Sequence, residues 1–132
     1  MFIHGKGTYA SLNSVDLSTY TNKVDFERVA DSHDTTTFGK NARTYQGGLL
    51  DGTCTLAGIY DNGETGPRPT VAPLLGTVTA LVYRPEGTGA GKPEDTVNVL
   101  VMSYQESAEV GETIKWTCEL QLSGDVTTTD QV

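Results

Sequence analysis

Clustered positive charge is the first thing this chain lacks. It carries 9 Lys and Arg residues against 17 Asp and Glu, for a net charge of −8. Tight binding to a phosphate backbone needs grouped cations, so that class of nucleic-acid protein is excluded, and an acidic surface repels polyanions and favours solubility. Long apolar runs are missing as well. No stretch approaches the roughly 20 apolar residues of a spanning helix, and no membrane contact is expected. The opening residues, MFIHGKGTY, have no apolar centre of the kind a secretory signal carries. No Asn-x-Ser/Thr acceptor follows, and the chain is expected to be made and kept in a cytoplasm. Apolar residues do not recur at i, i+3, i+4 and i+7 over any long stretch, which argues against a helical bundle.

Cysteine is scarce. The two present, Cys54 and Cys118, both fall on the apolar phase of β-patterned runs. Two cysteines so far apart are no zinc signature. They read as buried, reduced thiols acting as small hydrophobes, with a disulfide between neighbouring strands left open as the alternative.

What is there points to β-structure. The chain suits one domain, residues 1–132, able to bury roughly two thirds of its unfolded surface. A hydrophobic fraction of 36%, with 15 glycines and abundant threonine, fits strands and turns better than helices. Period-2 patterning predicts strands at Thr8–Leu12, Val15–Tyr20, Lys23–Val29, Thr53–Tyr60, Thr77–Arg84, Thr96–Tyr104 and Thr113–Leu122. Asn13-Ser14 and Gly39–Asn41 mark turns. Ala30–Asp34 reads as a loop or strand end, and Gly47-Gly48 as a turn delivering Thr53–Tyr60 into the sheet. Asp61–Pro73 is irregular, since its prolines cannot sit in a central strand, with one helical turn expected near Ala72–Leu75. Pro85–Asp95 is Gly/Pro-rich and mobile by composition, and the tail after Gly124 reads as a short extended arm. Thr96–Tyr104 is apolar on both faces. Val97, Val99 and Val101 share one face, and Leu100, Met102 and Tyr104 the other, which predicts burial on both sides, inside the domain or against a partner. The expected fold class is all-β, a sandwich or small barrel of about seven or eight strands with at most one short helix.

No motif carries chemistry. Gly87–Lys92, GTGAGK, has the wrong spacing for a phosphate loop. Pro93 stands where a Ser or Thr would hold magnesium, and a strand follows where a helix is needed. His33 and Asp34, with Asp31, lie in a polar run without the convergent partners a catalytic pair needs. His4 has no partner nearby. Asp61, Asn62 and Glu64 miss the calcium-loop spacing, no nucleophile elbow occurs, and Trp116 sits on a core phase. No catalytic residue, cofactor or metal is expected.

Three phrases stand in a telling order. They are VDLSTYTNKVDFER (Val15–Arg28), DTTTFGKNARTYQGGLLDGTCTLAGIYD (Asp34–Asp61) and VLVMSYQESAEVGETIKWTCELQLSGDVT (Val99–Thr127). Together they cover most of the chain, and in this order the chain resembles bacteriophage major tail tube proteins of the siphovirus type. The resemblance implies a virion structural protein, not an enzyme, with a tail-tube-like β-sandwich that assembles as hexameric rings. The rings would stack into the conduit for genome ejection, passing double-stranded DNA without binding it. Partners would be copies of itself and other phage tail or head proteins, with assembly in the host bacterial cytoplasm and residence in the virion tail. The expected subunit interface is Val97, Val99, Leu100, Val101, Met102 and Tyr104. The expected ring-stacking loop carries Asn62, Glu64, Pro67, Arg68 and Pro69, with Pro85–Asp95 a second loop able to reach an adjacent ring. The alternative is a capsid decoration or other head-associated virion protein on a similar β-sandwich, and a non-viral binding module, for carbohydrate for example, comes third.

Overall fold

The computed structural model describes residues 2–132. Eight strands build it: β1 (Tyr9–Leu12), β2 (Val15–Asp16), β3 (Thr21–Asp34), β4 (Tyr45–Ile59), β5 (Val78–Arg84), β6 (Pro93–Ser107), β7 (Lys115–Leu122) and β8 (Thr127–Asp130). One short helix, α1 (Pro67–Val71), runs into a 3-10 turn at Ala72–Leu74. Asn13 and Ser14, at φ 53° and 66°, form the tight turn between β1 and β2, because two positive φ values match the right-handed twist of the flanking strands. Pro67 opens α1, where its fixed φ suits a first helical position and its missing N–H costs nothing.

The strands form one antiparallel sheet in the order β2-β1-β5-β6-β7-β4-β3. β8 pairs with β6 at Pro93–Thr96, beyond the point where β7 ends opposite Val99. The sheet curls until its halves face each other across a core of Leu12, Leu56, Leu81, Val99, Trp116 and Leu120, all fully or almost fully buried. Phe26 of β3 stacks on Tyr83 of β5 with ring centroids 5.3 Å apart. Arg28 of β3 reaches Asp95 of β6 at 3.6 Å and Thr128 of β8 at 3.3 Å. The barrel nonetheless stays open, for β2 and β3 end the sheet unpaired with each other. The expectation of an all-β fold with about seven or eight strands and one short helix is met; a closed barrel is not.

Trp116 is the centre of the packing. Its indole stacks on Tyr104 and its Nε1 donates to the Tyr20 carbonyl at 3.1 Å. That same carbonyl crosses directly over Gly58, the cross-strand partner of Trp116. Any Cβ at residue 58 would collide with the Tyr20 oxygen, so glycine is required there for space.

Several local expectations are corrected. The expected strand Val15–Tyr20 stops at Asp16 and turns into a 3-10 segment at Ser18–Tyr20. Asp16 Oδ1 accepts from the Ser18 amide at 2.8 Å and the Ser18 hydroxyl accepts from the Ala10 amide at 3.0 Å; such side-chain bonds compete with a ladder. Ala30–Asp34 and Gly47-Gly48 are not loop and turn but paired strand, with Ser32 opposite Gly47 and Asp34 opposite Tyr45. The Pro85–Asp95 loop is pinned. Gln131 donates its amide side chain to the Gly87 carbonyl at 2.8 Å and accepts from the Gly89 amide at 3.1 Å, and β6 already begins at Pro93.

Candidate assembly surfaces

The strand expected to be apolar on both faces has one face in the core. Val97, Val99 and Val101 are 3%, 0% and 0% exposed, so within a subunit they have no surface left to offer a neighbour. A bulge between Val101 and Ser103 then changes the phase of the strand. It turns Tyr104 to the core side, opposite Cys118 and against Trp116, and leaves Met102 46% exposed. The Tyr104 hydroxyl is buried without a hydrogen-bond partner, and burial pushes its phenol up to about 12. Of the six residues expected at a subunit interface, Leu100 and Met102 remain on the outer face, where Leu100 pairs with the exposed Val78 of β5.

The segment expected to stack rings is largely docked. Pro67 and Val71 are buried, and Arg68 lies 3.8 Å from Glu106 of β6. Asn62, Glu64, Arg68 and Pro69 are exposed on its outer side, but the segment clasps the body of the molecule and does not project from it.

The projecting element is one the sequence reading missed. Beyond Gly52, β3 and β4 continue as a two-stranded arm with nothing packed on either face, and residues 29–34 of β3 are all exposed. The arm carries apolar side chains: Tyr45, Leu49 and Leu50 are 59%, 81% and 74% exposed, and Phe38 at the tip is fully so. Solvated hairpins gain little from Leu or Phe on their surface, and grouped exposed apolar residues mark contact sites. The adjacent leucines at 49–50, without a core phase to serve, were the available signal.

The residues weighed for chemistry do not converge. His33 and Asp34 stand exposed on the arm. Asp34 accepts from the Thr36 amide at 2.9 Å, and the Thr36 bonds hold its carboxyl below the usual range; it shapes the turn into the tip. No group of three or more His, Cys, Asp or Glu among the described residues is placed to hold a metal.

Cys54 and Cys118 are free, buried thiols on neighbouring strands, with Leu56 opposite Cys118 and Leu120 opposite Cys54. Burial first, and for Cys54 the second thiol next, pushes both up to about 12. In the unfolded chain a thiol ionises near ~8.5. Stability is therefore complete below that value and falls as pH rises from there toward 12, because only the unfolded state gains the charge in that window. Alkylation by iodoacetamide at pH 9 is expected to follow the rate of unfolding; rapid modification of native protein would contradict the burial.

No family model matches the sequence, and no curated protein matches it. Solved structures do match. A chain from the tail of an empty gene transfer agent particle, refined with C6 symmetry, superposes with TM-score 0.80 at 13% identity, covering 97% of this chain and 99% of that one. The SPP1 tail tube gives 0.75 at 12% identity, over 99% of this chain and 81% of its own. A chain of the sheath–tube complex of an extracellular contractile injection system gives 0.75 at 13% identity, over 98% and 93%. The fold is thus of the tail-tube type along nearly the whole chain.

Proposed function

We propose that this protein is the tube subunit of a phage or phage-like tail. Copies associate into rings, six to a ring, and the rings stack into a hollow conduit that passes double-stranded DNA without gripping it. The observation that carries this reading is the end-to-end match with chains of a gene transfer agent tail, the SPP1 tail tube and a contractile sheath–tube complex. The sixfold symmetry of the first of these supports the ring size. An unpacked arm bearing Phe38, Leu49 and Leu50 supports assembly with other chains. The net charge of −8 supports a wall that repels passing duplex. The protein would act as a structural component of the virion tail, put together in the host cytoplasm beside other tail proteins. Negative-stain electron microscopy of the purified protein tests this. Rings or tubes are the expected result, and monomers alone across a range of concentration and salt would overturn it.

A further inference from the structure

The tip of the arm, residues 35–44, is electrostatically unlike the rest of the molecule. It holds Lys40 and Arg43 with no acid, while the remaining residues hold seven cations against seventeen acids, a net of −10. Phe38 stands between these charges and the arm, 107% exposed and touching nothing. Arg43 lies 3.7 Å from Asp34 at the foot of the tip; Lys40 makes no ion pair among the described residues.

At the base of the same arm a groove of about 440 Å³ opens between β3, β4 and the connection from β7 to β8. Val29, Leu50, Leu122 and Val126 line it, with Asp51 and Asp125 in its walls. Its one cation, Arg28, is already engaged by Asp95 and Thr128. The tip cannot fill the groove of its own chain. The ladder from the Ala30–Leu50 pair to the Asp34–Tyr45 pair holds the two apart by roughly 13 Å of paired strand at about 3.3 Å per residue.

We propose that the arm tip of one copy docks in the base groove of a neighbouring copy, Phe38 entering the apolar cleft while Lys40 and Arg43 face Asp51 and Asp125. Copies of a chain with net charge −8 repel one another almost everywhere else, so the one basic projection selects the acidic rim of the groove. The two patches differ, which makes the contact head-to-tail and able to propagate into rings or a helical stack. This rests on the reading of the chain as a self-assembling tube subunit.

Two exposed sites allow a direct test. Phe38→Cys protein is mixed with Asp125→Cys protein during assembly, and an interchain disulfide is expected only in the mixture, since the native thiols are buried. Separately, Lys40→Glu is expected to raise the concentration needed for assembly at least tenfold, and the added change Asp125→Lys to restore it, with unfolding midpoints unchanged in both. Wild-type tubes combined with no cross-link and no charge rescue would overturn the docking and leave the tube reading standing. Wild-type protein that never assembles would overturn both.

Discussion

Replacing Trp116 with alanine is expected to unfold the protein at 37 °C. The side chain is 1% exposed, and truncating a buried tryptophan costs about 3–5 kcal/mol through lost transfer energy and the cavity left behind. A further loss comes from the Tyr20 carbonyl, which accepts the indole N–H at 3.1 Å and would lie buried without that donor, at about 1–3 kcal/mol. Against a total stability of about 5–15 kcal/mol for a domain, the sum is decisive. Urea denaturation followed by circular dichroism measures it. Trp116→Phe keeps most of the volume and loses only the hydrogen bond, so it should fall between wild type and alanine. A Trp116→Ala midpoint within about 1 kcal/mol of wild type would mean that the two halves of the sheet are not held together here.

Leu100→Asp is expected to leave the fold intact and eliminate assembly. Leu100 is half-buried on the outer face of β6 beside Val78, with Met102 close by. A carboxylate there meets water in the free subunit and so costs little. Covered by a neighbour without a cation to meet it, the same group costs several kcal/mol at each contact, and a ring repeats that cost at every subunit. Sedimentation velocity should show a monomer with native circular dichroism. Tubes of wild-type length from this variant would remove the outer face of β6 from the contact, and unfolded protein would place Leu100 with the core.

The core strands were legible because their neighbours impose a pattern. Trp116, Cys118, Leu120 and Leu122 alternate with exposed partners along β7 as their sequence phase requires, and Val97, Val99 and Val101 do the same in β6. Tyr104 was misplaced because a bulge shifts the phase by one residue, and nothing in local alternation announces an extra residue. The arm was missed for the opposite reason. Ala30–Asp34 and Tyr45–Asp51 pair only with each other, so no core dictates which side chains are apolar and the period-2 signal disappears. Pro67 was read as a loop residue, yet proline at a first helical position starts α1 five residues before the helical turn that was expected. The pinning of the Gly-rich loop by Gln131 joins residues more than forty positions apart, beyond the reach of any local pattern. The phrases that resemble tail tube proteins did carry the fold, although the surfaces assigned on that basis moved from the β6 core face and the Asp61–Pro73 segment to the outer face and the arm.

The arm also has a mechanical consequence. A pull on Phe38 along the strand axis travels down both limbs of the hairpin and enters the body through the seven register pairs that join β4 to β7, Thr53–Gln121 to Ile59–Lys115. Those hydrogen bonds lie across the direction of the load. They are sheared together and share the force; they are not peeled one after another. A filament linked through such limbs would stretch and flex as a spring under tension, and its subunits would stay folded while it did so.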